Sequence, residues 1–201
     1  MANRAYLYAE RPREDGTSDI ISVGEFRSTT PFAYMLLCSV NTEQLPSKIF
    51  NDLEPDDDGG VCGPTAFRGL FPEGREALLQ FMEKFAEVNS NNLYLPEDTL
   101  AEEFASTRKE LLDERFAGCT HFWLEPFETF ALVSFTAEDV TYQADSLRAR
   151  LEHSDAEQAS ILEMWERGDF DQYSSAQEFF NTLGFGSWSD ILYFQFEKLE
   201  D

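Results

Sequence analysis

Basic side chains are scarce in this chain. Its 201 residues hold 15 Lys and Arg against 39 Asp and Glu, a formal net charge of −24 at pH 7. Phosphate repels such a chain and no basic stripe offsets the repulsion, so nucleic-acid binding is not expected. Cysteine is sparse too. Cys38, Cys62 and Cys119 are odd in number and widely spaced, which argues against a disulfide framework and for reduced, buried thiols in a cytoplasmic protein. Histidine is limited to His121 and His153. Two imidazoles among dispersed cysteines offer no zinc spacing, so no metal is expected. Long apolar runs are missing as well. The longest, around Phe32–Cys38, falls far short of the ~18 residues that suggest a membrane span. The opening residues have no apolar stretch and bring charges at Arg4, Glu10, Arg11 and Arg13, so no secretory signal is expected.

What is present is apolar and aromatic mass. Hydrophobic residues make up 42% and aromatic residues 14%, with 19 Phe, whereas disordered acidic chains are poor in aromatics. The length fits one domain over 1–201, with 137–183 as a candidate helical lobe. Residues 1–30 carry five acids and four bases, so the acidity belongs to the rest of the chain.

The patterning predicts an α+β fold: a small, mostly antiparallel sheet with five to six helices packed on one face. Alternation over 3–9 and 20–26 predicts two strands joined as a hairpin by a long loop. Pro31 opens a short buried helix. Residues 41–70, rich in Pro and Gly, read as irregular. Leu78, Phe81, Met82 and Phe85 share one face of a helix ending near Val88, and Leu93–Leu95 reads as a brief extended piece. Leu100, Phe104, Leu111 and Leu112 mark the inner face of a helix over 97–116. Strands are expected over 120–124, 130–135 and 191–196. Further helices are expected over 137–152, over 154–167 with Ser154 as its cap, and from Ser174 or Ser175 to Leu183.

No catalytic constellation emerges. Cys119 and His121 share a strand face, but neighbours two apart on one face sit ~6–7 Å apart, too far for a hydrogen-bonded pair. There is no Gly-x-Ser-x-Gly elbow. Asp56-Asp57-Asp58-Gly59-Gly60 lacks the alternating carboxylates of a calcium loop. Gly59-Gly-Val-Cys-Gly-Pro lacks the Lys-Ser/Thr ending of a P-loop, and Gly184-Phe-Gly-Ser lacks the third glycine of a dinucleotide fingerprint. Neither catalysis nor a cofactor is therefore expected.

Two features remain. The aromatic stock of Phe122, Trp123, Phe127 and Phe130, with Trp165, Phe170, Tyr173, Phe179, Phe180, Phe185 and Trp188, exceeds what a small sheet obviously needs. It supplies either core or protein-binding anchors. The acidity concentrates in a loop at Asp56, Asp57 and Asp58, on a helix face at Glu102, Glu103 and Glu110, and in 152–171, where seven acids face one base. From the last segment, Asp155, Glu157, Asp169 and Asp171 are the contact candidates. Such charge steers association with a cationic partner.

The opening Met1-Ala-Asn-Arg-x-Tyr-Leu-Tyr, followed by Pro31-Phe-x-Tyr-x-Leu-Leu, is similar to an uncharacterised bacterial family of small acidic proteins. The overall profile resembles the immunity proteins of contact-dependent and type VI toxin systems. That resemblance implies no catalytic residue. It implies a role, which is to bind a cognate toxin that acts in the cytosol and cover its basic cleft. A non-catalytic adaptor using the aromatic surface is the alternative.

Overall fold

The computed structural model describes residues 3–50, 65–130, 132 and 136–196. The chain opens with two strands, β1 (Arg4–Pro12) and β2 (Ser18–Arg27). Their register slips between Leu7 and Tyr8, which leaves Val23 as an extra residue, a bulge that sharpens the local twist. The hairpin is longer than the alternation alone suggests, because Arg11 and Pro12 still pair with Asp19 and Ser18. Helix α1 (Phe32–Leu37) follows Pro31, and every one of its residues is buried.

Next come β3 (Glu43–Pro46), β4 (Thr65–Leu70), α2 (Phe71–Asn92) and α3 (Glu97–Leu111). After a short 3-10 turn come β5 (His121–Glu125), α4 (Phe127–Phe130), α5 (Ala137–Glu152), α6 (Ser154–Arg167) and α7 (Ala176–Thr182). The five strands form one sheet in the order β2-β1-β5-β4-β3, with every neighbouring pair antiparallel. With seven helices among the described residues, the fold is α+β.

The pleat sorts the side chains of the sheet. Ala5, Leu7 and Ala9 of β1, Phe67 of β4 and Phe122 and Leu124 of β5 face the helices. Helix α2 is the centre of that layer. Leu78, Phe81, Met82 and Phe85 recur at helical spacing and are completely buried. The Phe85 ring lies 4.6 Å from that of Trp165 on α6, and each such ring contributes roughly 2–3 kcal/mol by leaving water. Helices α1 and α2 cross so tightly that a Cβ at Gly74 would collide with the Leu37 carbonyl. The end of α2 is held by Asn89, which is 1% exposed. Its Nδ2 donates to the Leu95 carbonyl at 3.2 Å. Its Oδ1 accepts from Leu95 N at 3.3 Å and from Trp165 Nε1 at 3.2 Å.

The opposite face of the sheet is covered as well, which one-sided packing of helices does not anticipate. Tyr6, Tyr8, Ala66 and Trp123 form a second buried cluster with Leu192. The tail after Trp188 lies over it. Tyr8 donates to the Phe194 carbonyl at 2.9 Å, and the Phe194 ring meets Tyr6 edge-on at 5.4 Å.

This tail is where the expected strand 191–196 fails. The residues form no strand, because their backbone pairs with no neighbour beyond a bridge from Gly24 to Trp188. Residues 41–70, expected to be irregular, contain β3 and β4. Helix α2 runs four residues past Val88, and Leu93, at φ 52°, is its left-handed stop rather than an extended residue. Helix α3 stops at Leu111, so Leu112 turns out to solvent, 57% exposed. Phe130 closes α4 rather than opening a strand, and 133–135 lie outside the described residues. Ser154 does not cap α6: that position is His153, which makes no side-chain cap bond. Ser175, by contrast, does cap α7, accepting from Glu178 N.

Candidate functional site

The acidic candidates fall on the helical layer. Helix α3 presents Glu102 outward, with Leu100, Phe104 and Leu111 buried beneath. Asp155 is exposed in the first turn of α6, where a carboxylate complements the helix dipole. Asp169 and Asp171 are exposed just after Gly168, whose left-handed conformation ends α6. Glu102, Asp155, Asp169 and Asp171 form no ion pair among the described residues.

The other described candidates are committed elsewhere. Glu110 pairs with Arg115, and Glu157 pairs with Arg150 across the α5–α6 junction. Glu103 is half-buried and lies against Gly186. Asp56, Asp57 and Asp58 lie outside the described residues.

The aromatic candidates are packing residues. Phe122, Trp123, Phe127, Phe130, Trp165, Phe179, Phe180 and Phe185 are all buried, and Phe170, Tyr173 and Trp188 are half-buried against the same core. They do not supply an exposed platform. The excess of rings over what a small sheet needs is explained by the two-sided core.

Arg4, Arg11, Lys48 and Arg68 lie on or beside the sheet and are held by carboxylates there, while a larger number of cations lie on the helices. Arg4 pairs with Glu25 at 3.0 Å, and Arg11 pairs with Asp19 at 2.8 Å. On the tail-covered face the Lys48 ammonium lies 4.1 Å above the Trp123 ring and 3.0 Å from Glu10. Arg68 reaches both Glu10 and Glu43. Burial pushes the Glu10 carboxyl up, but the Lys48 hydrogen bond and the nearby charges outweigh it and hold it below the usual range.

Glu125 sits beside them with no cation on its carboxylate and is completely buried. Oε1 accepts from Lys48 N and from Trp123 Nε1, both at 2.7 Å, while Oε2 completes no hydrogen bond. Burial lifts this carboxyl above its ordinary range, against the opposing pull of Ser47 and those donors. Composition gave no signal for this group, since one carboxylate among 39 is inconspicuous.

Among the described residues no nucleophile or metal cluster assembles. Cys38 and Cys119 are buried free thiols, and burial raises both above the ordinary thiol range. His121 bonds the Thr120 hydroxyl at 2.9 Å. Burial, then the charge of Arg68, lowers its basicity. No three His, Cys, Asp or Glu residues among those described come together as metal ligands.

A family described as Domain of unknown function (DUF7822) matches residues 9–167. The chain belongs to that family. The DUF7822 match runs from β1 through α6, so it takes in most of the sheet and the helices that carry Glu102 and Asp155. No curated protein and no solved structure matches the chain. Among the described residues no helix is long and apolar enough to cross a membrane.

Proposed function

We propose that the chain is a non-catalytic immunity protein that binds a cognate toxin acting in the cytosol. An acidic face would cover the toxin's active cleft or substrate-docking surface. The observation that carries the reading is the unequal neutralisation of charge. Ten of the cationic side chains, from Arg4 to Arg167, are held in ion pairs within the molecule. Glu102, Asp155, Asp169 and Asp171 stand exposed on the helical layer without a cation. That layer therefore carries exposed negative charge with no ion-pair partner, which attracts a basic surface and repels phosphate. The resemblance of the overall acidic profile to immunity proteins supports the same reading. The adaptor alternative needs exposed aromatic anchors; the rings expected to serve pack into the core, and the exposed ones are Tyr94, Tyr142 and Tyr193.

The test is affinity capture of the tagged protein from its native cells at low and high salt, followed by co-expression with the captured partner. One stoichiometric toxin-like protein, released by salt, is expected. Charge reversal of Asp155, Asp169 and Asp171 together, and separately of Glu102 with Asp98, which is exposed in the first turn of α3, should slow association about tenfold or more and reduce protection. If both sets leave association and protection intact, the electrostatic reading is wrong.

A further inference from the structure

The link between β2 and α1 forms one wall of a cleft whose other walls are α4, α5, α6 and α7. The cleft consists of two adjoining cavities of about 200 and 390 Å³, which share Thr29, Thr30 and Arg150. Together they fall within the size range of small-molecule sites. Three consecutive hydroxyls, from Ser28, Thr29 and Thr30, come from the link, Gln143 and Ser146 from α5, and Ser160 from α6. The hydroxyls of Ser28, Thr29, Ser146 and Ser160 make no hydrogen bond to another described residue. Ser28 has φ 67°, a left-handed conformation rare for a residue other than glycine.

Two further features define the ligand. The first is the Arg150–Glu157 pair, whose guanidinium faces the carboxylate through both Nε, at 3.2 Å, and Nη2. It sets a strong donor beside a strong acceptor, the arrangement that two vicinal hydroxyls satisfy, one accepting from Arg150 and the other donating to Glu157. The second is the apolar lining by Phe32, Ile161, Phe179 and Leu183, which suits a face of C–H bonds. The two charged groups of the lining neutralise each other, and the chain carries −24. An anionic ligand therefore finds no unpaired cation there.

We infer that this cleft binds a neutral, polyhydroxylated ring, with the Arg150–Glu157 pair on a vicinal diol and the apolar lining beneath the ring. The inference does not depend on the toxin-binding reading, because it concerns a different class of ligand.

The full chain would be titrated with D-glucose, D-mannose, uridine, adenosine and D-glucose 6-phosphate up to about 10 mM, watched by saturation-transfer NMR and calorimetry. Binding of the hexoses supports a free-sugar site, and binding of the nucleosides alone supports a ribose site. Ser160→Trp fills the apolar cavity from an exposed position of α6 and should abolish binding. Glu157→Gln removes the charged acceptor and should weaken binding about tenfold. Both should leave the circular dichroism spectrum and the urea midpoint unchanged. Three results would each overturn the proposal: no neutral probe binds, glucose 6-phosphate binds more tightly than glucose, or S160W, folded as the parent, binds as well as the parent.

Discussion

Asn89 joins three elements through one amide, and removing that amide should be among the costliest single changes in the helical layer. Asn89→Ala leaves the indole N–H of Trp165 and both the N–H and the carbonyl of Leu95 without partners in a site closed to water. Each abandoned group costs about 1–3 kcal/mol, so the expected loss is about 3–5 kcal/mol. That is a third or more of a typical domain's stability. At a urea slope of about 2 kcal/mol/M, the midpoint should fall by roughly 2 M.

Asn89→Asp refines the test. Its carboxyl keeps an acceptor for Trp165 and Leu95 N but turns an oxygen, in place of Nδ2, toward the Leu95 carbonyl. When protonated it can donate there, and when ionised it cannot. Burial and the facing carbonyl raise its folded pKa above the unfolded value of about 3.9. The stability this group contributes is then present below the unfolded pKa and lost as pH rises through the folded one. The deficit of N89D against the parent should therefore be smaller near pH 4 than at pH 8. Urea unfolding followed by circular dichroism at both pH values measures it. A loss under about 1 kcal/mol for N89A, or a deficit for N89D that does not grow with pH, would refute the reasoning.

Other outcomes follow from the same structure. Glu125 has a raised carboxyl pKa, so its ionisation opposes folding, and the parent loses that contribution as pH rises through the folded value. Glu125→Gln keeps an acceptor for Trp123 and Lys48 N, so its urea midpoint should gain on the parent's as pH increases. Gly74→Ala forces α1 and α2 apart at the Leu37 carbonyl and should cost about 1–3 kcal/mol in the same assay. Cys38, fully buried with a raised thiol pKa, should resist alkylation in the native protein and react on unfolding, as read by peptide mass mapping.

Elements specified by local chemistry were legible from the residues. Helix α5 begins and ends as expected, because Thr136 caps it by accepting from Asp139 N and its apolar residues keep one period. Strands β3 and β4 were hidden because Pro46, Arg68 and Gly69 break any local β signal. They are strands through their pairing with each other and with β5, which lies more than fifty residues further on. The tail misled in the other direction. Ile191 and Tyr193 favour a strand by type, yet they are 72% and 60% exposed, while Leu192, Phe194 and Phe196 turn inward.

The acidic candidates were partly legible. Exposure of Glu102, Asp155, Asp169 and Asp171 follows from helical phase and from the Gly168 stop. The neutralisation of Glu157 was not visible, because it depends on how α5 and α6 meet. Nor was the burial of Glu125, which depends on Lys48 and the tail closing over the sheet.

The strand order carries a consequence for how the molecule is made. β1 lies between β2 and β5, and its central pairings join Tyr6 to Glu125 and Tyr8 to Trp123. At a synthesis rate of about 5–20 residues per second, on the order of ten seconds separates the two strands during translation. Through that interval the hairpin has one edge unpaired and both apolar faces uncovered, a template for joining other chains. Its paired arginines and aspartate lie at the far end, near the turn, and do not shield that edge. The nascent chain is therefore most vulnerable to aggregation before β5 arrives. Slowing translation ahead of residue 121 should lower the soluble yield more than slowing it afterwards.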